Sequence, residues 1–432
     1  MSTARVYHWV HAMTRLSIDW TENDAPLTVV RTLREAGHEA WLAGGCVRDL
    51  LLGATPKDFD IASSATPHEV RQLFPVTIPV QPELGVTMVI HGTQKLEVTA
   101  FRMEGPYLDG RRPSHVVPTT AQGDVQRRDF SINGLLLDPQ TGEVVDHVGG
   151  IDDLNAKVLR AIGVAHDRFS EDHLRILRAV RFAVRLGFSI EDSTWQAMCG
   201  LSGKVSLLSG ERILEELAKM FTQGPFARSL ELLLDCGVLE AVSPELATAL
   251  ENPASRQRLV RWLQVPTVSS ELWPGLLAAP LCPWWEELNP RIGCAVRPAQ
   301  EKFLERIRCS KTQIEAARLL WTRWSSLQSA PAKPSQWAPI LRDRHFPSLR
   351  EALGLQALAE PTPPPLEALD QLHASLPKAP PSLGVEFQQA GVPKGPKLGE
   401  AIREADRRII DEGAIPGPDL VAAVAEFILG SP

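Results

Sequence analysis

The spacing of apolar residues changes once along the chain, close to residue 165. Before that point, short apolar segments separated by helices predict strands, at residues 40–43, 59–62, 87–91 and 95–101. After it, apolar residues recur every three or four positions, and the run 170–186 predicts a single helix that begins at a capping Ser170. The pattern predicts an α/β (α+β) head with a mixed sheet, followed by an all-α remainder.

Composition divides the helical part further. Seven of the eleven tryptophans lie between Trp262 and Trp337, which indicates a helical core there. Sixteen of the 35 prolines lie after residue 330, where they break the chain into short helices and linkers. We therefore expect four domains, with bounds at residues 1–164, 165–227, 228–330 and 331–432.

The first chemical signal is a pair of glycines followed by a pair of acids. Gly44 and Gly45 lie between the strand at 40–43 and the next predicted helix, where backbone N–H groups can face a triphosphate. Asp58 and Asp60 alternate along the next predicted strand, so their side chains point to the same side. Two such carboxylates repel each other unless a divalent cation, with Mg²⁺ the leading choice, binds between them. This combination indicates nucleotidyl transfer.

The residues from Gly44 to Asp60 resemble the signature of the class II nucleotidyltransferases, the family of bacterial CCA-adding tRNA nucleotidyltransferases and poly(A) polymerases. Further blocks of the resemblance follow in family order, at residues 97–102, 127–133, 171–175 and 211–217. The resemblance implies addition of CMP and AMP from CTP and ATP to the 3′ end of tRNA, with two Mg²⁺ ions and release of pyrophosphate. It also implies that the four domains are a nucleotidyltransferase head, a base-recognising neck, a body and a tRNA-binding tail.

Two arginines are candidates for contact with the nucleotide. Arg48 follows the glycines within the first predicted helical turn and is expected at the triphosphate; a buried ion pair with Asp49 is the structural alternative. Arg127 and Arg128 stand at the start of a predicted amphipathic helix, and the resemblance assigns the second of them, Arg128, to the nucleotide.

The sequence leaves more than one role possible for Asn133 and for Glu97. Asn133 is a candidate for contact with the ribose 2′-hydroxyl, and a helix cap or a buried polar group is the equal alternative. Glu97 lies on a neighbouring predicted strand and is either a third catalytic carboxylate, a surface residue or the partner of Arg102.

Asp172, Arg175, Arg178 and Arg181 fall on one flank of the helix predicted over 170–186. So many arginines on one face with little compensating acid indicate an anionic ligand; the plain alternative is a helix-surface ion pair. The resemblance implies that Asp172 accepts, and Arg175 donates, hydrogen bonds at the Watson–Crick edge of the incoming base. Arg178 and Arg181 would hold phosphates or orient that pair. One acceptor and one donor suit cytosine and adenine and leave uracil and guanine mispaired.

Two further segments resemble parts of this family. Residues 104–113 look like the loop that family members use to switch from C to A addition. The loop is shortened in relatives that add only CC, so its full length here argues against CC-only activity. Lys394 and Lys397 flank a predicted helix start in the tail and resemble a motif that grips tRNA; solvated lysines are the alternative.

Composition limits the setting more than the function. The net charge of −7 gives no general basic surface, so tRNA contact would need a local positive face. No apolar run is long enough for a membrane span, and the six cysteines contain no CxxC pair, so neither membrane, zinc site nor disulfide framework is expected. We expect a cytoplasmic enzyme of unassigned oligomeric state.

Three alternatives to full CCA addition stay open. The motifs do not separate it from an A-adding enzyme that completes tRNAs ending in CC. A poly(A) polymerase is less favoured: the resemblance implies a strongly basic C-terminal extension for relatives of that kind, whereas residues 331–432 carry 10 Lys and Arg against 13 Asp and Glu. An RNA-binding protein on an inactive scaffold is disfavoured by the intact acids and by Asp172 with Arg175.

Overall fold

The computed structural model describes the chain in ten segments, at residues 6–7, 15–21, 24–105, 114–264, 268–281, 299–324, 327, 333–359, 364–376 and 382–430. Its contacts divide the chain into two compact units. The first is Met1–Met220 with Arg228–Val242, and the second is Phe221–Ala227 with Ser243–Pro432.

All thirteen strands of the described chain belong to the first unit. They are β1 Val6–Tyr7, β2 Ser17–Ile18, β3 Ala40–Ala43, β4 Asp60–Ser63, β5 Thr77–Gln81, β6 Val86–His91, β7 Gln94–Ala100, β8 Arg102–Glu104, β9 Val116–Pro118, β10 Leu135–Leu137, β11 Val144–Asp146, β12 Val158–Leu159 and β13 Ser189–Ile190.

The first unit also carries the helices up to α11, except for the end of α9 and the first two residues of α10, which belong to the second unit. They are α1 Ala25–Glu35, α2 Gly45–Leu51, α3 Pro67–Leu73, α4 Ala121–Gln126, α5 Gly150–Ala156, α6 Ala165–Glu171, α7 Leu174–Leu186, α8 Asp192–Leu201, α9 Gly210–Gln223, α10 Phe226–Asp235 and α11 Val238–Val242.

In its described residues, the second unit is helical. Its helices are α12 Pro244–Glu251, α13 Pro253–Trp262, α14 Trp273–Leu277, α15 Ala299–Arg306, α16 Lys311–Arg323, α17 Ala338–Leu341, α18 Phe346–Ala359, α19 Leu366–Ser375, α20 Gly384–Gln389, α21 Pro396–Glu412 and α22 Pro418–Gly430. Trp262, Trp273 and Trp337 are buried here, as the clustering of tryptophans predicted. None of the helices in the described segments is long and apolar enough to cross a bilayer.

A seven-stranded sheet of order β11-β10-β3-β4-β7-β6-β5 forms the centre of the head. It is mixed, because β4 and β7 run parallel while the other neighbouring pairs run antiparallel. The parallel pair aligns Asp60 with Glu97, so the candidate acids meet at one place in the sheet. The predicted strand at 40–43 and the hairpin formed by β6 and β7 are confirmed.

The predicted helix over 170–186 is wrong in one respect, because the chain forms two helices there. α6 ends at Glu171, Asp172 is extended with φ −139° and ψ 105°, and α7 begins at Leu174. The carboxylate of Asp172 accepts a hydrogen bond from the Leu174 N–H at 3.1 Å, in the manner of a helix cap. An acid that caps a new helix therefore interrupts a continuous apolar pattern.

The predicted fold class, a mixed α/β head followed by helices, is confirmed. Beyond residue 165 the described chain contains one short strand, β13, which pairs parallel with β12 of the head. The four domain boundaries stay predictions, since the two compact units follow a different division.

Candidate active site

A cavity of about 780 Å³ opens in the first unit, beside the ends of β3 and β4. Nine basic side chains and five carboxylates line it, a positive excess in a chain of net charge −7. The lining includes eleven of the predicted site residues, Gly44, Gly45, Arg48, Asp58, Asp60, Arg128, Asn133, Asp172, Arg175, Arg178 and Arg181. Residues distributed over more than 130 positions of sequence thus line one cavity, and more of its side chains are basic than acidic.

Gly44 lets the end of β3 approach an arginine closely. Its φ is 77°, a region that other residues rarely adopt, and a Cβ added here would lie 2.9 Å from Nη1 of Arg128. Its N–H donates to the carbonyl of Leu135 at 3.1 Å, so this particular N–H is used inside the sheet. Gly44 therefore allows Arg128 to pack closely, and its own N–H is not available to bind a phosphate.

Asp58 and Asp60, which we call the acid pair, both line the cavity. The predicted alternation along one strand is wrong for Asp58, because β4 begins at Asp60 and Asp58 lies in the bend before it. The Asp60 carboxyl lines the cavity, where loss of hydration and the charges of Glu97 and Asp58 raise its pKa to about 6, although the charge of Arg128 acts in the opposite direction. A cation bound at this position would reduce the repulsion between these carboxylates.

Glu97 stands beside Asp60 in the parallel pair of strands, but it is absent from the residues that line the cavity. Within the described segments, no group of three or more His, Cys, Asp or Glu side chains is arranged to hold a metal. A cation at the acid pair would therefore take its remaining ligands from substrate phosphates and water, which is the usual arrangement for Mg²⁺.

Asp129 is the functional residue that the sequence analysis missed. It is buried and accepts hydrogen bonds from Nε and Nη2 of Arg178 at 2.8 and 2.7 Å, and from Nδ2 of Asn133 at 3.0 Å. Burial alone would raise the pKa of Asp129, but the Arg178 charge and these hydrogen bonds lower it to about 2. The available signal was an acid placed directly after two arginines and before an apolar residue.

Asn133 links this acid to the glycine turn. Its Oδ1 accepts a hydrogen bond from Nη1 of Arg48 at 2.5 Å, while its Nδ2 donates to Asp129. Asn133 lies in a short 3-10 turn, Ser131–Asn133. The prediction that Arg127 and Arg128 begin a helix is wrong, because they directly follow the end of α4 at Gln126. The buried-polar alternative for Asn133 is therefore present in this structure, within reach of the cavity.

Arg48 also shows its structural alternative. Nε and Nη2 donate to Oδ1 of Asp49 at 2.8 and 2.6 Å, and the side chain is 3% exposed. Arg48 nevertheless lines the cavity, together with Arg178 and Arg181 of α7. We call these three residues the arginine cluster.

The prediction that the α7 arginines lack compensating acid is wrong. Each pairs with a carboxylate from elsewhere in the chain, and the pairs are Arg175–Glu171 at 2.6 Å, Arg178–Asp129 at 2.7 Å, Arg181–Glu216 at 2.7 Å and Arg185–Asp49 at 3.2 Å. Helical spacing could indicate Glu171, which lies four residues before Arg175, but not the other three acids, which come from distant parts of the chain.

Asp172 and Arg175 are each held by partners of their own. Both carboxylate oxygens of Asp172 accept from Nη2 of Arg212, at 3.1 and 3.0 Å. Arg175 is buried and donates to Glu171 and to the carbonyls of Arg168 and Arg127. Asp172 thus lies between α6 and α7, whereas Arg175 belongs to α7, so the two side chains do not share one helical flank. Both line the cavity.

The remaining candidates are not among the residues that line this cavity. Lys394 and Lys397 are exposed in the second unit, where α21 begins at Pro396 directly after Gly395. Residues 106–113 of the predicted switching loop lie outside the described residues; the strands on either side of them, β8 and β9, pair antiparallel.

Models of two protein families match the chain. The Poly A polymerase head domain matches residues 40–160, and the probable RNA and SrmB-binding site of polymerase A matches residues 187–250. Both matches fall within regions that the sequence analysis assigned to the head and the following helices.

Curated relatives are named as CCA-adding enzymes. That of Oceanobacillus iheyensis is 44% identical over 208 residues, which are 48% of this chain and 52% of the relative. That of Streptococcus sanguinis is 33% identical over 418 residues, which are 94% of this chain and 97% of the relative. The matched region thus spans about half the length of the first relative and nearly all of the second.

Solved structures give the same picture. The CCA-adding enzyme of Bacillus stearothermophilus in complex with CTP has a TM-score of 0.76 and 27% identity, over 94% of this chain and 98% of that one. The Thermotoga maritima CCA-adding enzyme complexed with tRNA has a TM-score of 0.62 over 94% and 95%. At 19% identity, the second likeness concerns the fold alone.

Proposed function

This chain belongs to the family of CCA-adding enzymes, within the proteins that carry a Poly A polymerase head domain, and we propose that it adds CMP and AMP to the 3′ end of tRNA. The donors are CTP and ATP, and no nucleic-acid template is used. The observation that carries the proposal is the meeting, in one cavity, of the acid pair, the arginine cluster and the Asp172 and Arg175 side chains.

The reaction is a phosphoryl transfer. The 3′ oxygen of the RNA bonds to the α-phosphorus of the nucleotide, the bond from that phosphorus to the β-phosphate oxygen breaks, and pyrophosphate leaves. Nucleotidyltransferases of this kind depend on divalent metal, and we propose Mg²⁺ held by Asp58 and Asp60. The metal would neutralise phosphate charge and increase the acidity of the 3′-hydroxyl.

The chain's own residues bind and orient the substrates. The arginine cluster and Arg128 carry fixed positive charge to the triphosphate, and Asp129 keeps Arg178 in place. Asn133 is proposed to contact the ribose 2′-hydroxyl. Glu97 is proposed to act as a third catalytic carboxylate, beside Asp60. Catalysis here is mainly positioning and charge neutralisation.

Asp172 and Arg175 are proposed to read the base. Cytosine and adenine each offer an amino donor to Asp172 and a ring acceptor to Arg175, whereas uracil and guanine reverse that order. Nη2 of Arg212 donates to both oxygens of Asp172 in this structure. Because a carboxylate oxygen can accept more than one hydrogen bond, the amino group of the base would share Asp172 with Arg212. Lys394 and Lys397 are proposed to contact tRNA, in a tail over residues 331–432, and the setting is proposed to be the cytoplasm.

The test offers labelled CTP and ATP to three RNAs, which are tRNA without its 3′ CCA, tRNA ending in CC, and an unstructured RNA. The proposal expects C, C and A on the first and A on the second. Extension of the second alone would make the chain an A-adding enzyme, and long A tracts on the third would make it a poly(A) polymerase. No extension of any RNA would contradict catalysis.

A further inference from the structure

Three guanidinium groups converge on one aromatic ring in the cavity wall. Phe182 of α7 is 5% exposed and lines the cavity. The guanidinium carbons of Arg181, Arg48 and Arg178 lie over its ring, at 4.2, 5.1 and 5.3 Å from the centroid. Arg48 comes from α2 of the head, and the other two come from α7. The ring is therefore a meeting point for cations from separate elements.

Such an arrangement opposes the mutual repulsion of the arginines. Burial and the nearby charge of Arg178 lower the pKa of Arg181, although Glu216 acts in the opposite direction. The face of an aromatic ring carries negative charge and attracts cations within about 6 Å of its centroid. Phe182 thus supplies attraction at the place where the three positive groups come together.

The hydrogen bonds of the cluster complement this contact. Each guanidinium donates one edge to a carboxylate, and the pairs are Arg48–Asp49, Arg178–Asp129 and Arg181–Glu216. These bonds use Nε and Nη2 of Arg178 and Nε of Arg181. Among the described residues, the remaining guanidinium nitrogens of Arg178 and Arg181 have no hydrogen-bond partner. Both arginines line the cavity. Those nitrogens are suitable donors for an anion.

The ring is itself held in a defined orientation. Phe130 meets Phe182 edge to face, with centroids 5.8 Å apart and planes at 76°. Phe130 is fully buried and follows Asp129 directly, so the same segment fixes both the ring and the acid that binds Arg178. This coupling places Phe182 within the architecture of the site and not in a separate core.

We propose that Phe182 is a positioning residue for the triphosphate of the incoming nucleotide. Its ring holds the three guanidinium groups of the arginine cluster in place before the nucleotide binds. The substrate therefore does not have to order these hydrogen-bond donors when it binds. The inference rests on the proposed function to the extent that it takes a nucleoside triphosphate as the ligand.

The test replaces Phe182 with phenylalanine carrying one, two and three ring fluorines. Fluorination weakens the negative face of the ring while nearly preserving its shape. CTP affinity, measured by calorimetry, should fall stepwise and reach about tenfold for the trifluoro ring, or ~1.4 kcal/mol. In tRNA extension, KM for CTP should rise in parallel while kcat stays within about twofold.

The control places the same fluorinated residues at Phe169, a buried ring of α6 that takes no part in these arginine contacts. CTP affinity should not change there. Phe182→Leu, checked by thermal melting for folding, should match the trifluoro variant or exceed it. Unchanged CTP affinity along the Phe182 series, in an enzyme that extends tRNA, would overturn the inference and leave the function intact. A chain that shows the graded loss of CTP binding but extends no RNA would overturn the function and support the inference.

Discussion

The acid pair and the arginine cluster line the same cavity, yet the fold treats their charges in opposite ways. Asp60 lies near Glu97 and Asp58, and its pKa is raised to about 6. Each arginine of the cluster lies against a carboxylate, and the Arg178 partner Asp129 has its pKa lowered to about 2. The folded chain therefore pairs each guanidinium of the arginine cluster with a carboxylate, whereas Asp60 lies among like charges that the nearby Arg128 only partly offsets.

The largest expected effect comes from removing an acid of the pair. Asp58→Ala or Asp60→Ala should lower incorporation of both CMP and AMP about a thousandfold, or ~4 kcal/mol in the activation barrier, because the metal loses its ligand. Binding of tRNA should stay close to wild type. Asp152→Ala, an exposed acid in the first turn of α5, is the control for a general effect of lost charge. Near-normal incorporation by either site variant would place the chemistry elsewhere.

Removing the carboxylate that binds Arg178 should destabilise the folded chain. Asp129→Ala leaves Arg178 without its buried partner and should lower the free energy of unfolding by about 3–5 kcal/mol in urea denaturation. Glu231→Ala breaks an exposed pair with Arg228 and should cost no more than about 1 kcal/mol. Equal stability of the two variants would show that Asp129 does not anchor the cluster.

Base choice should change by an intermediate amount. Arg175→Ala should reduce CMP and AMP incorporation alike, and exchanging the pair, Asp172→Arg with Arg175→Asp, should raise UTP or GTP use relative to the native bases. The selectivity at stake is roughly ten- to hundredfold. Arg168→Ala, which removes another partner of Glu171, is the control and should leave the profile unchanged. An unaltered four-nucleotide profile in both site variants would end the idea of a side-chain template.

The smallest effect concerns pH. Because the folded pKa of Asp60 lies above its ordinary value, ionisation of this carboxyl destabilises the folded chain; the penalty develops between about pH 4 and 6 and is complete above pH 6. In metal-free buffer, Asp60→Asn should therefore raise Tm at pH 7.5, and the gain should shrink toward pH 4.5. An equal gain at both pH values would mean that it does not arise from charge.

Local patterns in the sequence predicted the elements that build the site. The Gly44 turn, the strand before it and the hairpin of β6 and β7 depend on residues close in sequence, and the structure contains them. Short-range chemistry of this kind is visible without the fold.

Long-range pairing was not visible. Asp129 meets Arg178 across 49 positions, and Asp49 meets Arg185 across 136, so no helical spacing could reveal either acid. The break at Asp172 was hidden for a related reason, since the apolar period continues through it while one carboxylate caps the next helix. Eleven of the predicted residues line the candidate cavity, whereas the contacts that hold them could not be read from the sequence.

The most direct test of the contrast measures CTP binding by calorimetry in EDTA and in Mg²⁺. Wild type should bind CTP weakly without metal, through the arginine cluster, and more tightly with it. The double variant Asp58→Ala with Asp60→Ala should keep the metal-free affinity and lose the gain from Mg²⁺, whereas Arg178→Ala should weaken metal-free binding. A double variant that retains the Mg²⁺ gain, or that loses metal-free binding, would contradict the division of roles between the acid pair and the arginine cluster.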